Sequence, residues 1–295
     1  MKYSELLPFI ENRLKGGGID AKDSAFEAVQ IAKHVAGLSL EAIKTYPDSE
    51  IPEGWLQSVN KIVSERAFKR KPLQYLLGEW EFYGNRMRVG EGVLIPRPET
   101  ELLINITRNY FETNEIYSPS LIDLCTGSGC IAITLKKLFP SADIRAIDIS
   151  TQVFPFISFN EKLNNVTILS TRGDVTKESA LQNYKDEYGN LLKFDVIVCN
   201  PPYLTKGELN LAQPELKFEP EIALNGGLDG LDFYRLIPIV WKNALRPGGM
   251  MLFEIGETQA SEVNKILRRA GFENIKIFND TAGNKRAIAG FMPMV

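Results

Sequence analysis

The sequence predicts an α/β protein in which a mainly parallel sheet with helices on both faces follows a small helical bundle. Three observations carry this. Apolar residues recur at three- and four-residue spacing up to about residue 70, the period then drops to two, and from about residue 98 short apolar runs alternate with helical segments.

The bundle is read first. In SAFEAVQIAKHVA the apolar residues Ala25, Phe26, Val29, Ala32, Val35 and Ala36 form one helical stripe, and Trp55, Val59, Ile62 and Val63 repeat it in WLQSVNKIVSERAF. Gly16-Gly17-Gly18 and the stretch from Pro47 to Pro52 separate the helices. Residues 1–70 are therefore assigned to a helical bundle and 71–97 to a hairpin linker. In that linker Trp80 and Phe82 alternate with acids, a turn falls at Gly84-Asn85, and Met87 and Val89 follow. Residues 98–295 form the third region, where LIDLC, DIRAID, NVTILS, FDVIVCN, MMLFEIG, IKIF and RAIAGFM read as strands. Ligands of such sheets bind beyond the carboxyl ends of the strands, so motifs there are read for function first.

Composition narrows the classes. With 295 residues and 44% apolar content the chain can bury a sizeable core. No run reaches the roughly 18 apolar residues of a membrane span, and MKYSELLPFIENR lacks a signal-peptide pattern, so a cytoplasmic location is expected. Three cysteines, Cys125, Cys130 and Cys199, all lie in or beside apolar runs and read as reduced thiols. A metal pair at Cys125 and Cys130 lacks further ligands, since the single His34 lies on a helical segment far away in the chain; no metal is expected. The net charge is −3, and residues 1–70 hold ten basic against ten acidic side chains, so no nucleic-acid footprint is visible.

The first chemical motif is LIDLCTGSGCIAI. A strand runs into Cys125-Thr126-Gly127-Ser128-Gly129, and glycines in such a turn let a ligand lie against the main chain before the helix that starts near Cys130. The spacing differs from the GxGxxG of dinucleotide enzymes. Asp148 ends the next strand, 23 residues after Cys125, where a carboxylate can accept both hydroxyls of a ribose; a helix cap is the plainer alternative. Asp174 follows the third strand and can accept from an adenine amino group with Val175 flanking the ring, or serve as a loop cap.

The fourth strand ends in Asn200-Pro201-Pro202-Tyr203. An amide or aromatic amine is a poor nucleophile because its lone pair is delocalised. Two fixed acceptors, the Asn200 side-chain oxygen and the Pro201 carbonyl, can hold the two hydrogens of such a group and aim its lone pair, while Tyr203 stacks on its flat face. A sulfonium methyl, that of S-adenosylmethionine, is the electrophile that fits. Pro-Pro can also simply end a strand.

Taken with KPLQYLLGEWEFYG (71–84), VLIPRPETE (93–101), FEPEIALNGGLDGLDFYR (218–235) and DTAGNKRAIAG (280–290), these motifs make the chain resemble the PrmC/HemK protein-glutamine methyltransferases over almost its whole length. The resemblance implies a class I S-adenosylmethionine-dependent methyltransferase: a Rossmann-like seven-stranded sheet with an antiparallel last strand, joined by the hairpin to the bundle. It implies S-adenosyl-L-methionine as cofactor, S-adenosyl-L-homocysteine as product, and class I peptide chain release factors as partners of a monomeric enzyme. Carried onto this sequence, Cys125 to Gly129, Asp148, Asp174, Val175 and Asn200 bind cofactor, while Asn200, Pro201 and Tyr203 are catalytic. Asn200 to Tyr203, with Arg97 and Glu99, contact the substrate glutamine. Arg97, Pro98, Glu99 and Thr100 resemble the segment that covers the active site; alternatively they form a structural lid, in which Pro96 and Pro98 stiffen the loop and Arg97 pairs with an acid without touching substrate.

Three departures from the family pattern stand out. Cys125 replaces a common glycine. Pro155 in STQVFPFISFNEKL delays or kinks the following helix. About ten extra residues, NYKDEYGNLL at 183–192, read as a polar surface insertion. A ribosomal-protein glutamine methyltransferase, a nucleic-acid amino-group methyltransferase, a non-catalytic cofactor-binding module and a nucleotide-dependent oxidoreductase are the competing readings.

Overall fold

The computed structural model describes residues 1–294 apart from 38–40, 42–44 and 46. The chain forms two compact units, Met1–Glu79 with Gln213–Phe218, and Trp80–Ala212 with Glu219–Val295.

The first unit is helical: α1 (Tyr3–Gly16), α2 (Ala21–Ala36), α3 (Glu53–Lys69) and α4 (Leu73–Leu77). Asp20 starts α2 by accepting the amides of Lys22 and Asp23, two of the donors a helix N-terminus leaves without partners. Leu6, Ile10 and Leu14 pack on Ala28, Ile31 and Ala32 and on Val59, Val63 and Ala67. The buried stripe of α2 differs from the sequence expectation. Phe26 is 52% exposed, whereas Glu27 is buried, because Arg66 donates Nε and Nη2 to its carboxylate at 2.8–3.0 Å. Arg66 Nη1 also reaches Glu215 at 2.6 Å, and Arg70 pairs with the same carboxylate at 2.7 Å. A buried and a half-buried carboxylate around one guanidinium satisfy the planar donor fork, so Pro214–Phe218, far along the chain, folds with the helices.

In the second unit, β1 (Glu79–Phe82) and β2 (Asn85–Arg88) make a hairpin. Its turn residues are Tyr83 (φ 51°) and Gly84 (φ 70°), one position earlier than expected, because positive φ at both centres matches the strand twist. Then come α5 (Glu101–Thr113), β3 (Ser120–Leu124), α6 (Cys130–Leu138), β4 (Asp143–Asp148), α7 (Phe154–Asn164), β5 (Leu169–Arg172) and β6 (Phe194–Cys199). The chain ends with α8 (Lys206–Leu211), α9 (Asp232–Trp241), β7 (Leu245–Glu254), α10 (Ala260–Ala270), β8 (Glu273–Asn279) and β9 (Lys285–Phe291). The sheet order is β5-β4-β3-β6-β7-β9-β8, with β9 antiparallel to both neighbours. Every residue of β6 is buried, as a central parallel strand covered on both faces requires.

The helix α7 starts late, at Phe154, with Pro155 in its first turn where a missing amide costs nothing. The insertion is not wholly a surface feature. Tyr184 is fully buried, its ring edge-on to Phe194 and Trp241, while residues 185–190 carry the polar turn. Among the described residues no helix is long and apolar enough to cross a membrane.

Candidate active site

Strand order reverses at β3, with β4 and β5 on one side and β6 and β7 on the other. At the carboxyl ends of such strands the crossing loops diverge and leave a crevice. A cavity of about 250 Å³ opens there.

Its floor is the turn after β3. Cys125 (φ 58°), Gly127 (φ 54°) and Gly129 (φ 80°) hold left-handed backbone, a conformation that costs roughly 1–2 kcal/mol at a residue with a Cβ and little at glycine. Cys125 therefore carries strain that a glycine at this position would lack. Thr126 anchors the turn: its amide donates to the Ile147 carbonyl at 3.2 Å and its hydroxyl to Asp123 Oδ2 at 2.5 Å. Asp148 braces the same turn, accepting the Gly127 amide on Oδ2 and the Ser150 amide on Oδ1, both at 2.9 Å. Burial raises its pKa while those amides favour the charge. Asp148 does not cap α7, which begins at Phe154 with Val153 as its cap.

Cys125, Thr126, Gly127, Ser128, Asp148, Asp174, Val175, Asn200, Pro202 and Arg97 all line the cavity. Gly129 stands one step back, where a Cβ would lie 3.1 Å from Ile133 Cδ1. Asp174 Oδ1 accepts both the amide and the hydroxyl of Thr176, which sets the carboxylate at the rim. Arg97 lines the cavity and also pairs with Glu219, whose other oxygen accepts the Ile95 amide at 3.0 Å. Glu99 is exposed and outside the lining; Thr100, its neighbour, is buried and inside it.

Pro201 and Tyr203 are not among the residues that line this cavity. The Tyr203 phenol donates to Glu254 Oε1 at 3.3 Å, and its carbonyl accepts from Gln259 Nε2 at 2.9 Å. Burial, with the Glu254 charge second, holds the phenol protonated far above its usual range. The chain leaving Tyr203 is laced to the GGLDG segment: the Leu204 amide donates to the Leu224 carbonyl and the Gly226 amide to the Leu204 carbonyl. A Cβ on Gly226 would lie 2.6 Å from Tyr203 Cα and 2.8 Å from the Pro202 oxygen, and one on Gly230 2.4 Å from the Tyr203 oxygen. These are backbone atoms with nowhere to go. Gly226→Ala is expected to lower stability by about 1–3 kcal/mol and to reduce turnover, read by denaturant midpoint and initial rate. Gly207→Ala, whose Cβ meets nothing nearer than 3.8 Å, should change neither.

Thr100 was expected only as part of the segment over the site, and Glu254, Gln259, the pairing of Glu219 with Arg97 and the roles of Gly226 and Gly230 were not expected. Glu254 carried a usable signal, an acid closing the apolar run MMLFE at the carboxyl end of a strand.

This seven-stranded sheet with one antiparallel strand, and a cavity over a glycine turn at its reversal point, defines a class I methyltransferase. The catalytic domain of hMettl16 in complex with the MAT2A 3'UTR hairpin 6 superposes with a TM-score of 0.54 at 15% identity, over 82% of either chain, which shows the shared fold. Residues 100–216 match the methyltransferase small domain. The release factor glutamine methyltransferase of Thermodesulfovibrio yellowstonii is 37% identical, over 89% of this chain and 90% of that relative. Those of Fusobacterium nucleatum (36%, over 88% and 70%) and Neisseria gonorrhoeae (34%, over 90% and 92%) are similar to it as well. The chain belongs to the release factor glutamine methyltransferase family.

Proposed function

We propose that this chain transfers a methyl group from S-adenosylmethionine to the side-chain amide nitrogen of the glutamine in the Gly-Gly-Gln motif of class I peptide chain release factors, and so modulates translation termination. The observation that carries the reading is the setting of Asn200. It follows directly on the central strand β6, lines the cavity, and has its Nδ2 engaged by Thr100 Oγ1 at 3.2 Å, so that Oδ1 is the end left to accept from a substrate amide.

The cavity suits the cofactor. A side chain is absent at Gly127, where a ligand would lie on the main chain, and two carboxylates, Asp148 and Asp174, line the cavity for a diol and an exocyclic amine. When bound, S-adenosylmethionine supplies an electrophilic sulfonium methyl. Asn200 Oδ1 and the Pro201 carbonyl take the two substrate N–H groups, fixing the nitrogen lone pair along the line of attack. They also stabilise those hydrogens as they grow more acidic. Tyr203, held by its phenol, flanks the amide plane, and Arg97, tied to Glu219, closes the wall on that side. Water takes the surplus proton after transfer. The helical unit would recognise the release factor, and the enzyme would act as a cytoplasmic monomer.

The test is methyl transfer to a purified class I release factor, resolved by mass, beside the same factor with its Gly-Gly-Gln glutamine changed to alanine. A gain of about 14 Da on the intact factor alone is expected. No gain on either, with cofactor bound, overturns the assignment of substrate.

A further inference from the structure

Asn200 is a symmetric-looking carboxamide, and an amide clamp works only if its oxygen, not its nitrogen, faces the substrate NH2. We propose that Thr100 and Glu254 are the positioning residues that set this polarity. Glu254 fixes the direction of the Thr100 hydroxyl, and Thr100 in turn fixes which end of the Asn200 carboxamide meets substrate. The inference rests on the substrate-amide reading of Asn200 given above.

The geometry runs through three segments. Strands β6 and β7 are parallel neighbours with Cys199 opposite Phe253, so the next residues, Asn200 and Glu254, leave the sheet side by side. Thr100 ends the one-turn 3-10 helix Pro98–Thr100 that leads into α5. Its hydroxyl oxygen Oγ1 lies 2.6 Å from Glu254 Oε2 and accepts from Asn200 Nδ2 at 3.2 Å. A hydroxyl has one proton. Above about pH 7 Glu254 is ionised, and a carboxylate can only accept, so there the Thr100 proton goes to Glu254 and the Thr100 lone pairs can only receive. A partner able to donate must then turn toward Thr100, and Asn200 does so with Nδ2. The Glu254 carboxylate is kept from turning by the Tyr203 phenol on its other oxygen, and its backbone is held by the Tyr234 phenol, which donates to the Glu254 main-chain carbonyl at 2.8 Å.

Glu254 and Thr100 are each only 2% exposed, so no solvent competes for these bonds. Reversing the Asn200 amide would place its oxygen against an oxygen whose proton is already committed. That unsatisfied contact biases the amide toward the orientation seen.

Valine tests this with almost no change of shape, because it keeps the Thr100 volume and loses both the proton and the lone pairs. Thr100→Val is expected to lower kcat by about tenfold with KM for S-adenosylmethionine unchanged. Thr100→Ser should recover to within about threefold of wild type, since serine keeps the hydroxyl. Asn200→Ala and the double variant Thr100→Val/Asn200→Ala should turn over equally, because Thr100 acts only through Asn200. Losses that multiply, or Thr100→Val at the wild-type rate, overturn the proposal.

A second readout needs no methyl acceptor. The side-chain amide resonances of Asn200, assigned by their disappearance in Asn200→Ala, should show slowed hydrogen exchange in the wild type. Thr100→Val should lose that protection and Thr100→Ser regain it. Protection unchanged by valine overturns the proposal even if the release factor proves not to be the substrate. Protection that follows the hydroxyl while no release factor gains a methyl group sustains it and overturns only the assignment of substrate.

Discussion

Asn200→Ala lowers methyl transfer by at least about tenfold, with cofactor affinity close to wild type. The size follows from what is removed. Two acceptors hold the substrate NH2, and deleting one preorganised partner of a reacting group costs roughly 2–4 kcal/mol in comparable sites, or about 30- to 1000-fold in rate. Cofactor affinity should be spared because the residues proposed to meet the cofactor's polar groups, Asp148, Asp174 and the turn from Cys125 to Gly129, are not hydrogen-bonded to Asn200. The expected pattern is therefore a fall in kcat with equilibrium binding of S-adenosylmethionine unchanged, measured by calorimetry beside initial rates. Undiminished turnover would remove Asn200 from the chemistry, and a matching loss of cofactor affinity would move its role to the cofactor.

The sheet was legible because its strands are buried on both faces and read as short apolar runs. FDVIVC lies wholly inside strand β6, as periodicity predicts for a central strand. The edge strand was less so. NVTILS was read as strand from Asn165, yet β5 spans Leu169–Arg172, since Asn165 takes φ 55° to cap α7 and Leu169 is 54% exposed. Of the charge pairs, the sequence suggested only that Arg97 pairs with an acid, not which one. Nothing in the spacing of Glu27, Arg66 and Glu215 reports that they share one buried cluster, and the same blindness hid Glu219 from Arg97. For the site, motifs showed Asn200 and the glycine turn because each lies within a few residues of sequence. Thr100 and Glu254 become part of it only once β7 is known to lie beside β6 and the Pro98 turn over both.

Over pH 4 to 7 stability falls, and Asp123 is a main cause. Its carboxyl is fully buried at the end of β3, and burial pushes its pKa up to about 7 against the Thr126 and Ala132 hydrogen bonds that favour the anion; the Asp148 charge raises it further. Oδ1 has no hydrogen-bond partner, so ionisation leaves charge on an atom that nothing compensates. The sign follows from linkage. With a folded pKa above the unfolded value of 3.8, the native state holds a proton that the unfolded chain has released, so stability is complete below about pH 4 and is lost as pH rises through about 7. Three units correspond to roughly 4 kcal/mol. Glu254, raised to about 7 mainly by burial, acts in the same direction and window. On the acid side Asp20, held low first by the Asp23 amide, works the other way, since its contribution is lost only as pH falls below its unfolded value of 3.8. Asp123→Asn is a permanent mimic of the protonated acid, so it should remove one proton from the balance. The denaturant-derived stability of the variant should then fall less steeply than wild type between pH 5 and 7, by about 1.4 kcal/mol per pH unit, and the two curves should run parallel above pH 8. Identical slopes would mean that Asp123 is already ionised at pH 5 and that the turn below the cavity carries a fixed negative charge.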